Sequence, residues 1–122
     1  MNEEERALKM EITRILIEVG IPINLQGFNY FKESIYIAYN QPEVLKRITK
    51  GLYPQVGEIF DVKPTAIERC MRHAAELGYF KTGFKIINNY FGIAENVCNY
   101  KPTNSELIAL IVEYLRMENS VA

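Results

Sequence analysis

Three prolines set the terms on which the middle of this chain can fold. Pro42, Pro54 and Pro64 each lack the amide hydrogen that a helix interior needs, and each is tolerated only in a loop or a first helical turn. One long helix is therefore excluded, and three short, angled ones are predicted near 43 to 50, 54 to 60 and 64 to 79. Upstream, Leu8, Ile12, Ile15, Leu16 and Val19 recur at helical spacing, with Asn2 and Glu5 as a capping-box-like start and Gly20 as a stop. Gly20, Pro22 and Gly27 punctuate a loop, after which Phe31, Ile35 and Tyr39 resume a helical stripe that ends before Pro42. After a turn at Gly83, Phe84, Ile87, Tyr90 and Phe91 predict a further helix that Gly92 terminates, and a loop with Cys98 follows. The last helix carries the strongest start signal, Thr103 as N-cap with Glu106 three positions on, ahead of Leu107, Ile108, Ile111 and Leu115. Leu110, Val112 and Tyr114 make it apolar nearly all round, which suits either the centre of a core or contact with a second subunit. No stretch alternates long enough to be a strand, and no repeat or low-complexity linker divides residues 1–122. The expected fold is a single compact all-α domain, a length that one core can serve.

Within that frame, Tyr53 to Tyr79 meets the needs of a helix-turn-helix, two helices crossing closely around a tight turn. Val56 and Phe60 face inward on the first helix, Gly57 is small where the second must approach, and Val62 plugs the turn. Asp61 stands where glycine often makes the turn, and Asp tolerates the left-handed backbone better than most residues do. Ile67, Cys70, Met71, Ala74 and Leu77 form the expected inner face of the second helix. Thr65, Ala66, Glu68, Arg69, Arg72, His73 and Glu76 are left outside. In such a pair the N-terminal half of the second helix reaches base edges while flanking cations hold phosphates. Arg69 can donate a bidentate fork to guanine, Glu68 can accept from cytosine, and Thr65 completes the base-contacting set. Lys63, Arg72, His73 and Lys81 are the expected phosphate contacts. The plainer reading of Glu68 and Arg72, four apart, is a solvated helix ion pair worth a few tenths of a kcal/mol.

Charge supports the first reading only locally. The net charge is −1, but residues 1–43, 44–85 and 86–122 carry −3, +4 and −2, so the basic third contains the helix-turn-helix. Other chemistries lack their residues. One histidine and two distant cysteines do not give zinc-ligand spacing, and no Gly-rich phosphate cradle is present. Cys70 is expected to be buried, with its thiol pushed up rather than activated. No enzyme, metal or cofactor is expected, and most of the tyrosines and phenylalanines are assigned to core stripes. The acidic start, Met1 to Glu5, has no secretion signal and no apolar run spans a bilayer, which predicts a cytoplasmic protein with Cys70 and Cys98 reduced.

Several strings carry a more specific likeness: Ile48-Thr-Lys50, Leu52-Tyr-Pro54, Ile67-Glu-Arg69, Arg72-His-Ala74, Phe91-Gly92 and above all Lys101-Pro-Thr-Asn-Ser-Glu106. With the Gly20, Pro22 and Gly27 loop in register, the chain from about 13 to 117 resembles the C-terminal effector domain of the stage-zero sporulation response regulator. That resemblance implies a six-helix transcription-factor domain that binds a short box in double-stranded promoter DNA. It also implies two copies in tandem and a last helix that assists a homodimer. It carries Glu68, Arg69, Arg72 and His73 over as DNA contacts. Two departures stand out. Ala66 replaces an arginine that helps the family read bases, and Met1 lies only a dozen residues before the match, where the family has a receiver domain. The rival expectation is an interaction module that pairs with a full-length family regulator and antagonises it without strong DNA binding of its own.

Overall fold

Asn2 opens the first helix through its side chain, whose oxygen accepts the amide of Glu5 at 2.8 Å. From there the computed structural model describes residues 1–93 and 101–120, and among them there are six α-helices and no strand. They are α1 (Glu3–Glu18), α2 (Gln26–Asn40), α3 (Tyr53–Phe60), α4 (Pro64–Thr82), α5 (Lys85–Tyr90) and α6 (Asn104–Asn119). The predicted all-α class holds. The expected loop at Cys98 lies outside the described residues, as does any pairing of that cysteine.

The layout follows from which helix has apolar residues on most sides. Phe28, Phe31, Ile35 and Ala38 of α2 are buried, and α2 packs against α4, α6 and α1 at once. Burying one phenylalanine contributes roughly 1.5–3 kcal/mol, so this helix is the hub of the core. The inward residues of α6 make it part of the core: Leu107, Ile108, Ile111, Val112 and Leu115 all join the same cluster. Its start is the predicted one, a reciprocal capping box in which Thr103 Oγ1 accepts the Glu106 amide and Glu106 Oε1 accepts the Thr103 amide. Its far end is pinned by Arg116, which donates to the Tyr39 carbonyl at 2.6 Å and stacks over the Tyr39 ring.

Five expectations need correction. The helix placed at 43 to 50 is a 3₁₀ turn, Pro42–Lys46, followed by a π turn, Ile48–Leu52. The extended φ of −139° at Arg47 interrupts any continuous α ladder there. Gly27, read as loop, lies in the first turn of α2, where a Cβ would stand 2.5 Å from the Cys70 carbonyl oxygen, so its bareness sets how near α2 comes to α4. Leu77 is exposed. The inner face of α4 runs through Ile67, Met71, Ala74, Ala75 and Gly78, and at 100° per residue Leu77 falls well to one side of that stripe. Cys70 is at the same edge and is only part-buried, so it is not the sealed thiol expected. The helix itself runs on to Thr82, because nothing before Gly83 breaks it.

Candidate nucleic-acid interface

The turn between α3 and α4 is built as a helix-turn-helix requires. Asp61 takes the left-handed conformation, φ 56° and ψ 51°, and ends α3 in the role usually given to glycine. Its neighbour Val62 donates to the Gly57 carbonyl at 2.9 Å and packs on the core. A Cβ on Gly57 would collide with the Val62 carbonyl oxygen, so only glycine lets α3 fold back this tightly. On the other side of α3, Phe60 meets the Tyr30 ring edge-on at 5.0 Å, which ties the pair to α2. Pro64 then starts α4 with no side-chain cap.

Seated by Ile67, Met71 and Ala74, α4 presents Thr65, Arg69, Arg72 and His73 to solvent. Among the described residues, no packed element covers these four. Glu68 and Ala66 lie at the edges of the exposed strip and are half-buried, and Lys63 is exposed just before the helix. Glu68 and Arg72 do form the plain ion pair: Arg72 Nη1 stands 2.6 and 2.9 Å from the two carboxylate oxygens. An exposed i,i+4 pair of this kind is worth about 0.3–0.5 kcal/mol, too little to hold either group against a phosphate or a base. Lys81 is exposed but sits apart. It is twelve residues beyond Arg69 on one helix, about 18 Å along the axis at 1.5 Å per residue.

Sequence reasoning missed what flanks the strip. A cleft of about 420 Å³ runs between α4 and the start of α6, with Tyr53, Glu68, Arg72, Lys101, Asn104 and Ser105 among its walls. Lys101 faces Glu76 at 3.9 Å, and the Asn104 side chain donates to the Glu68 carbonyl at 3.1 Å. Burial pushes the Tyr53 hydroxyl above its ordinary value, and side-chain hydrogen bonds with Asn104 and Ser105 partly oppose that shift. The string Lys101 to Glu106 gives a capping signal and carries the family likeness, but neither reading sets it against α4. An asparagine inserted between a Thr N-cap and Ser, in a position that capping does not need, was the available hint.

Residues 12–115 match the family described as sporulation initiation factor Spo0A C terminal. The chain belongs to that family. The match covers most of the 122 residues and runs from the first buried isoleucine of α1 to the last buried leucine of α6. The family is that of the DNA-binding effector domain of the sporulation factor, a transcription-factor domain and not an enzyme family. Among the described residues, no helix is long and apolar enough to cross a membrane.

Proposed function

We propose that residues 1–122 act as one effector domain that binds double-stranded promoter DNA in a sequence-specific way and so regulates transcription. The observation that carries this reading is the uncovered strip of Thr65, Arg69, Arg72 and His73 on a helix seated by a tight turn. Thr65, Glu68 and Arg69 lie in its N-terminal half and are assigned to base edges, Arg69 by a bidentate fork to guanine. Lys63, Arg72 and His73 flank them and are assigned to phosphates. The uncapped start of α4 adds its own attraction, because amide hydrogens and the positive end of the helix dipole favour an anion there. Lys81, one helix end away, is assigned to a phosphate farther along the duplex. A tandem arrangement on DNA through α6 rests on what its core packing leaves outside, chiefly Met117 and the edges of Leu110 and Tyr114.

Ala66 favours a second reading. It cannot donate a hydrogen bond, so the family's box is bound less well, and a chain that pairs with a full-length regulator would antagonise it. One experiment separates the two. Duplexes are selected from a random pool by the protein, and affinities for the selected and scrambled sequences are measured by fluorescence anisotropy across a salt series. The first reading expects a preference of about 10³-fold or more for the selected duplex. If about four phosphates are neutralised, log affinity falls against log salt with a slope near −3.6. Equal affinity for the two duplexes overturns it, and inhibition of a full-length regulator's shift would then support the second.

A further inference from the structure

Asn104 is the polar residue of the described fold whose position is least explained by its own helix. It occupies the first position of α6, where the Thr103 and Glu106 side chains already do the capping, yet it is only 8 % exposed. A buried amide needs partners, and it finds one on another helix: Asn104 Nδ2 donates to the Glu68 carbonyl oxygen at 3.1 Å. Glu68 belongs to the N-terminal half of α4, so its carbonyl also lies in that helix's own ladder. A carbonyl has two lone pairs, and the second can be reached only from the side. The bond therefore adds a directional polar constraint on the rotation of α4 about its axis, beside the close approach of α2 to α4 at Gly27 and Cys70.

We infer that Asn104 is a positioning residue for DNA reading, which sets the rotation of α4 and so the aim of Arg69. The inference rests on the function proposed above and names the part that gives it selectivity. Geometry supplies the scale. A rotation of about 10° carries a side-chain tip about 6 Å from the helix axis through about 1 Å. That exceeds the span of about 0.5 Å within which hydrogen-bond lengths usually fall, so a bidentate contact is lost while a diffuse phosphate attraction survives. The capping box serves the same end, since it holds the first turn of α6, and Asn104 with it, in place.

The test uses two charge-neutral variants, Asn104→Leu, which keeps the branched shape without the polar atoms, and Asn104→Ala, which does not need to fit a larger shape. Each is compared with the unaltered chain for affinity to a selected and a scrambled duplex, for thermal unfolding, and for amide shifts in the free protein. The expected result is a loss of at least tenfold in the ratio of the two affinities, with scrambled-duplex affinity kept within about twofold. In the free variants, amide shifts move across residues 65–73 and stay put near 78–82. A purely structural role would lower both affinities by one common factor, and that outcome overturns the inference, as does an unchanged ratio. If the unaltered chain shows no preference, the DNA-reading function falls and takes this inference with it. A preference that survives both substitutions sinks the inference alone.

Discussion

From Thr65 to His73 the solvent side of α4 carries hydroxyl, guanidinium and imidazole groups, whereas from Leu77 to Phe80 it carries a branched chain and a phenyl ring, 40 % and 92 % exposed. One helix thus meets water in two ways, and its two halves rest on different supports. The first is held by the tight turn at Gly57 and by Asn104. The second is tied down by Thr82, whose hydroxyl bridges toward the Val19 carbonyl at 2.8 Å and accepts the Phe84 amide at 3.0 Å. The contrast teaches that the polar half is set by a backbone close approach at Gly57 and a side-chain bond from Asn104, while the other half is fastened by the Thr82 hydroxyl and the packing around Gly78. Nothing among the described residues packs on the bare ring of Phe80.

The contrast can be broken most forcefully at its glycines. Gly57→Ala drives a methyl into the Val62 carbonyl and is expected to cost about 2 kcal/mol or more, with loss of specific binding. Gly78→Ala meets the Ile21 side chain at 3.1 Å and the Ile21 nitrogen and Phe84 ring at 3.3 Å, so its neighbours must shift slightly, but it gains up to about 1 kcal/mol in helix propensity, and its net effect should be within about 1 kcal/mol. Denaturant midpoints for the pair check this, and equal losses would erase the distinction between the halves. Next in size, Arg69→Ala should cost about 1–3 kcal/mol on the selected duplex and blur one base pair, as read from competition with single-base variants. Arg72→Ala should weaken all duplexes alike and flatten the salt slope by about 0.9, while stability changes by only a few tenths of a kcal/mol. A sequence-dependent loss there would move Arg72 to the base-reading set. The smallest effect is expected at Phe80→Ser. Stability should stay within about 0.5 kcal/mol and affinity for DNA should not change in the same anisotropy assay. A clear loss of affinity would extend the DNA-facing strip into the second half.

Much of this arrangement was legible because its causes are local. The prolines, the Thr103 and Glu106 pair, the αL tolerance of Asp61 and the stripe of Ile67, Met71 and Ala74 act within a few residues of where they stand. Arg69, Arg72 and His73 followed from the same stripe, as its opposite side, and are exposed as expected. What escaped depends on partners distant in sequence. Gly27 looks like a loop residue until Cys70 is set against it, and Leu77 continues a plausible stripe until α2 shows how narrow the contact is. The bond from Asn104 to Glu68 spans 36 positions, and no spacing rule reaches that far. Local chemistry thus told which side chains face outward, while the means of holding them in register stayed hidden.

That last contact has a temporal side. On a ribosome the strip on α4, which ends at His73, emerges before Asn104 of the helix that braces it, by a delay of about 2–6 s at about 5–20 residues per second. During that interval the nascent chain has its guanidinium groups in place and no fixed angle at which to hold them. On the function proposed above, discrimination between duplexes is then acquired only once α6 has emerged and docked against α4.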